Sequence, residues 1–110
     1  MIHIKRIQED GADVIVLIGE IDASSSIELD LAIAKSVGEG FTRILVDCSA
    51  LEYISSAGLG VFMSYIEEFK DKNIRMVLFG TYVPVNFIAT RMLHGLQFIE
   101  PATIFAISNG

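Results

Sequence analysis

Three short runs are apolar at almost every position: Val14 to Ile18 (VIVLI), Arg43 to Cys48 (RILVDC) and Arg75 to Gly80 (RMVLFG). A strand with one wet face alternates apolar and polar side chains, so runs without alternation read as strands covered on both faces, as in parallel sheets. Parallel neighbours need a long crossover, and the segments between the runs carry helical signals. Ser25, Ser26, Ile27 and Glu28 spell a capping box, which predicts a helix from near Ser26 to about Val37, stopped by Gly38 and Gly40. In the next gap Leu59, Phe62, Met63, Ile66 and Phe69 recur at helical spacing, one face of a helix ending near Lys72 and Asn73. Phe62, Met63 and Phe69 are read as core. Pro84 suits the first turn of a third helix carrying Val85, Ile88, Ala89, Met92 and Leu93, closed by Gly95. Beyond it, Phe98 and Ile99 read as a short strand or docking segment, and Pro101 to Ile107 as at most a helical turn or two.

Before the first apolar run, residues Ile2 to Ile7 begin with alternation, and QEDGA follows with Asp10 and Gly11 at the centre of a turn. An edge strand therefore hairpins onto a central one. Two strands joined by a helix make a right-handed βαβ unit, so the class is α/β with a mixed sheet.

A chain of 110 residues with 52% hydrophobic residues is expected to fold as a single domain, 1–110. A formal charge of -6 has the wrong sign for a nucleic-acid binder. No stretch has the apolar length of a signal peptide core or a membrane span, so the reading is cytoplasmic, without direct membrane contact. Cys48 is the single cysteine, read as a small buried hydrophobe at a strand end. His3 reads as a surface residue and His94 as a helix-end residue; no metal or cofactor is expected.

Loops that leave the carboxyl ends of parallel strands gather at one sheet edge, and sites form there. Ile21 to Ser26 and Ser49 to Gly58 are two such loops, which brings Asp22, Ser24, Ser25 and Ser26 near Ser55 and Ser56. The stretch YISSAGLG, Tyr53 to Gly60, lacks the glycine two residues before the serine that a nucleophile elbow has, and lacks a nearby histidine base. No GxxxxGK[ST] or GxGxxG is present for a phosphate cradle. Helix capping by Ser55 or Ser56, with Gly58 and Gly60 allowing close packing, explains part of the pattern. It leaves two helix-weakening glycines, each costing about 0.8 to 1 kcal/mol against alanine. Covalent modification is the fourth reading: a hydroxyl at a helix mouth accepts a phosphate with little unfolding, because the helix amides tolerate the charge. A partner carboxylate about 6 Å from that phosphate is repelled by roughly 3 kcal/mol per unit charge at an effective dielectric of 20, about a hundredfold in affinity. Asp22 reads as a cap of the first helix with the nearby serines, and Glu28 and Asp30 mark a solvated face that doubles as partner surface.

The pair GEIDASSS and LEYISSAGLG, followed by the VLFG strand and the HGL step, resembles the STAS domain of anti-sigma factor antagonists over nearly the whole chain. The resemblance implies a STAS-like fold with a mixed four- to five-stranded sheet, an opening antiparallel hairpin and helices packed mainly on one face. It implies a non-enzymatic regulator of sigma-factor-dependent transcription. Such a regulator binds an anti-sigma factor, often an ATP-binding serine protein kinase, is released on phosphorylation and is reactivated by a phosphatase. Ser56 aligns with the family's acceptor, with Ser55 as the alternative, and Asp22 with the aspartate of its GxxD motif. The implied docking surface comprises Asp22, Ser24, Ser25, Ser55, Ala57, Gly58, Leu59 and Gly60, on a monomer or weak dimer. Two positions depart from the family pattern: Ser55 stands where an aspartate is usual and Ala57 where a second serine is. Alternatives of another class are an accessory module of a lipid-transporting ABC complex and a nucleotide or small-ligand sensor.

Overall fold

A computed structural model describes residues 2–80 and 97–99. Strand β1 (Ile2–Glu9) pairs antiparallel with β2 (Ala12–Ile21), from Ile2 opposite Gly19 to Glu9 opposite Ala12. Only Asp10 and Gly11 separate them, with φ of 52° and 80°. Two successive left-handed residues match the right-handed twist of the strands they join, and glycine takes that conformation without a Cβ clash. Helix α1 (Ser26–Gly38) crosses to β3 (Arg43–Ile54), which lies parallel to β2. Helices α2 (Ser56–Ser64) and α3 (Ile66–Lys72) lead to β4 (Arg75–Phe79), parallel to β3. Strand β5 (Gln97–Ile99) pairs parallel with β4, so the expected short strand at Phe98 and Ile99 is present and the order is β1-β2-β3-β4-β5. The third helix expected from Pro84 and the turns expected over Pro101 to Ile107 lie outside the described residues.

The three described helices pack on one sheet face. Ile15, Leu17 and Ile21 of β2, Ile44 and Val46 of β3, and Leu78 of β4 meet Leu29 and Ile33 of α1, Leu59 and Phe62 of α2, and Phe69 of α3. Burying each such side chain contributes roughly 1.5 to 3 kcal/mol relative to exposure. On the opposite face Ala12, Leu45 and Val77 form a second buried cluster with Val14 and Phe79 against it. The second face is thus covered over β3 and β4 and partly over β2, where Val14, Val16 and Ile18 are half-buried. Cys48 is buried in the helix-side cluster; burial, with Asp47 nearby, pushes its thiol up to about 12.

Two features differ from the sequence expectation. Strand β3 continues past Cys48 to Ile54, although Ser49 onward reads as loop. Between Val16 and Ile18 of β2, β3 advances from Asp47 to Ala50, and between Gly19 and Glu20 it advances from Leu51 to Tyr53. Each step inserts one extra residue, a β-bulge that bends and twists the strand. The buried residues of this stretch therefore come every third position, at Cys48, Leu51 and Ile54. The long helix after Gly58 is also two helices, broken at Tyr65. Ser64 donates its hydroxyl to the carbonyl of Val61 at 2.6 Å, and the Tyr65 amide turns to Phe62 at 3.2 Å. Such back-bonding by serine competes with the helical ladder and bends it. Met63 is 39% exposed rather than core, while Phe62 and Phe69 are buried.

A polar cluster closes the far end of the core. Asp13 is fully buried on the helix side of β2. Its carboxylate accepts from Arg6 Nε at 2.8 Å and Gln8 Nε2 at 2.9 Å, and Arg6 also reaches Glu39 beyond α1 at 2.9 Å. A buried carboxylate stripped of its cation is costly. Arg6→Leu should therefore lower unfolding free energy by about 3 kcal/mol in urea denaturation; a loss below about 1 kcal/mol would show that Asp13 is solvated without its partner.

Candidate functional site

The parallel pairing carries β2 and β3 to a common edge, where Ile21 lies opposite Ile54 and the Ser55 amide donates to the Ile21 carbonyl at 2.8 Å. The two serine-bearing segments are thus neighbours, as the strand order predicts.

Asp22 organises the first segment. One carboxylate oxygen, Oδ1, accepts from the Ser25 amide at 2.9 Å, the Ser24 hydroxyl at 2.8 Å and the Ser25 hydroxyl at 3.0 Å. Its carbonyl accepts from the Ser26 amide at 3.0 Å, and the Ser26 hydroxyl donates to Ala23 at 2.7 Å. This replaces the predicted capping box. Ser25 precedes α1 but makes no side-chain cap; its hydroxyl turns back to accept from the Asp22 amide at 2.9 Å. The Asp22 carboxylate takes the Ser25 hydroxyl proton and the Asp22 amide donates to its oxygen, which turns that oxygen away from the helix amides. The bond from the Ser25 amide, reinforced by the Ser24 and Ser25 hydroxyls, holds the Asp22 carboxyl at about 2, below its ordinary 3.8.

Ser55 and Ser56 divide the labour at α2. Ser55 is the N-cap: its backbone is extended, its hydroxyl accepts from the Gly58 amide at 3.2 Å, and its carbonyl accepts from Leu59 at 3.0 Å. Ser56 is the first helical residue and is exposed, and among the described residues its hydroxyl has no hydrogen-bond partner.

The remaining motif residues separate into surface and support. Ala57 is exposed and Gly60 partly so, whereas Gly58 and Leu59 are buried. Leu59, expected on the docking surface, is 2% exposed and belongs to the core. At Gly58 a Cβ would lie 2.7 Å from Ile54 Cγ1 and 2.8 Å from Ile21 Cγ2, both on stiff β-branched side chains. At Gly60 it would meet nothing within 4 Å, so the packing reason expected for both glycines holds only for Gly58. Tyr53, two residues before the cap, is 52% exposed, which its residue type alone does not signal.

Charge is distributed unevenly around this edge. Glu20, Asp22, Glu28 and Glu52 are exposed at or beside it. The described cations lie elsewhere. Arg43 and Arg75 pair at the amino ends of β3 and β4, and Lys35, Lys70 and Lys72 occupy the last turns of α1 and α3. Arg6 is held by Asp13 and Glu39, and Lys5 sits mid-sheet opposite Val16. No group of acidic, histidine or cysteine side chains suited to a metal ion occurs among the described residues.

Two outcomes test this geometry. Because the folded Asp22 carboxyl is depressed, its loop contacts are fully present above about 4 and disappear as pH falls through about 2. Carbon-detected NMR titration should show that midpoint; one near 3.8 would contradict the hydrogen-bond hub. Gly58→Ala should destabilise by about 1 to 3 kcal/mol through overpacking, while Gly60→Ala should stabilise by roughly 0.8 to 1 kcal/mol. Thermal melts of the two variants moving the same way would refute the distinction.

Comparison with known proteins follows the same lines. The Listeria monocytogenes protein named anti-sigma-B factor antagonist is 34% identical over 80 residues, 72% of this chain and 68% of that protein. BtrV of Bordetella bronchiseptica is 30% identical over 69 residues, 63% of this chain, and the match spans 60% of BtrV's length. SpoIIAA of Bacillus, solved unphosphorylated and phosphorylated, superposes with a TM-score of 0.76 in each form at 18% identity, over 99% of this chain and 96% and 98% of theirs. At that identity the likeness is one of fold: a SpoIIAA-like mixed sheet with an opening hairpin and helices on one side. Residues 3–106 match the STAS domain, and the chain belongs to that family.

Proposed function

We propose that this protein is an anti-sigma factor antagonist without catalytic activity of its own. In this reading it docks an anti-sigma factor with serine kinase activity through the Asp22–Ser26 and Ser55–Gly60 edge, and phosphorylation of Ser56 ends the docking. The observation that carries the reading is the division between the two serines. The Ser55 hydroxyl is committed to capping α2, and its loss would cost about 1 kcal/mol. The Ser56 hydroxyl is exposed and uncommitted among the described residues, which favours it as the acceptor.

In the transfer step the Ser56 oxygen attacks the γ-phosphorus of ATP held by the kinase, ADP departs, and the hydroxyl proton passes to a kinase base. The product sits at the first turn of α2, where free amides tolerate its charge of about -1.5 to -2. The fold then has no reason to change. In support, SpoIIAA matches this chain equally well in its two phosphorylation states. The outer surface does change, because a dianion now stands beside Ala57 on ground that a partner covers closely. A phosphatase of the same cytoplasm restores the hydroxyl by hydrolysis.

Incubation with the ATP-binding anti-sigma kinases of the source organism, followed by mass spectrometry, should place one phosphate on Ser56. Phosphate on neither Ser56 nor Ser55 would reject the switch, and phosphate on Ser55 alone would reject the assignment. Ser56→Ala should bind the kinase as the wild type does, and Ser56→Asp roughly tenfold to a hundredfold more weakly. Equal affinities would exclude gating by charge.

A further inference from the structure

Apart from Tyr53 the docking edge is built from small residues, and Ser24, Ser56, Ala57 and Gly60 offer little apolar area. Stable protein interfaces bury about 800 Å² on each partner and draw most of their energy from a few large, desolvated side chains. The described residues hold a source for them nearby. Ile27 and Leu31 of α1 are 63% and 64% exposed, one turn apart on the face opposite the buried Leu29 and Ile33. Isoleucine and leucine have no solvation reason to stand there. Ile27 lies in the first turn of α1, which leaves the edge from Asp22 as α2 leaves it from Ser55, and Leu31 follows about 6 Å along the axis. The Tyr65 hydroxyl, 2.6 Å from the Asp30 carboxylate, ties this part of α1 to the joint between α2 and α3.

We infer that the outward face of α1, centred on Ile27 and Leu31, is part of the docking surface and is covered by a protein partner presenting an apolar recess with a basic rim. This rests on the reading above and names the chemistry of the same partner. Charge selects the occupant. Glu28 stands on the same helix and Asp22 and Glu20 at its start, all exposed, while the one described cation of α1, Lys35, follows one turn beyond Leu31 at the end away from the edge, and the other described cations lie on other elements. A second copy of the chain would bring these acids against themselves, and an anionic lipid surface or nucleic acid would be repelled. A partner with lysine or arginine around an apolar centre is steered onto this face and held by it. A phosphate on Ser56 then acts by bulk as well as charge. It props the partner away from Ala57 and so uncovers Ile27 and Leu31.

Ile27→Ser/Leu31→Ser, with the fold checked by circular dichroism and thermal melting, should bind the anti-sigma kinase that accepts the wild type roughly tenfold or more weakly. Glu28→Lys should slow association and flatten its dependence on salt. Wild-type binding with unchanged affinity in the double variant would overturn the inference and leave the proposed function standing. Unchanged association and salt dependence in Glu28→Lys would overturn the basic rim. Failure of the wild type to bind any such kinase of the source organism would overturn both readings.

Discussion

The parallel pairing of β2 with β3 is the constraint from which the rest follows. It forces a helical crossover, which places α1 on the sheet, and it brings two carboxyl ends to one edge. The Ser55 amide, donating to the Ile21 carbonyl, extends the ladder one step beyond the strands and turns the chain into α2. Gly58 then sits over Ile21 and Ile54, the last residues of the two strands, in a space with no room for a methyl group. Backbone and side-chain packing together decide where the exposed Ser56 stands.

Much of this was legible because strands covered wholly or partly on both faces leave an uninterrupted apolar run, as in Val14 to Ile18 and Met76 to Phe79. The Asp10–Gly11 turn was legible from residues that accept positive φ. What escaped the reading depends on competition between nearby groups. Serine and glutamate spell a capping box at α1 only if the serine oxygen faces the helix, and Asp22 turns it back. A helical stripe from Leu59 to Phe69 looks continuous until Ser64 takes the Val61 carbonyl. Residues Ser49 to Ile54 lack a period of two because two bulges reset the pleat, and no local signal marks a bulge.

The site divides the same way. Its place at the sheet edge followed from topology, and its residue types from motif. The separate tasks of Ser55 and Ser56 did not follow, since adjacent identical side chains differ only in which one meets the Gly58 amide. Neither did the difference between Gly58 and Gly60, which lies in the distance to Ile21 and Ile54. The exposed pair on α1 was within reach: Ile27 and Leu31 fall opposite Leu29 and Ile33 on any helical projection.

The hydrogen bonds converging on Asp22 have a consequence for energetics of association. Ser24, Ser25 and Ser26 already hold their rotamers before any partner arrives. A loop ordered in advance surrenders little conformational entropy on contact, whereas each freely rotating side chain immobilised at an interface costs about 0.5 to 1.5 kcal/mol. Tight association is then attainable across a modest area, and over a modest area one added group alters a large fraction of what holds the complex together.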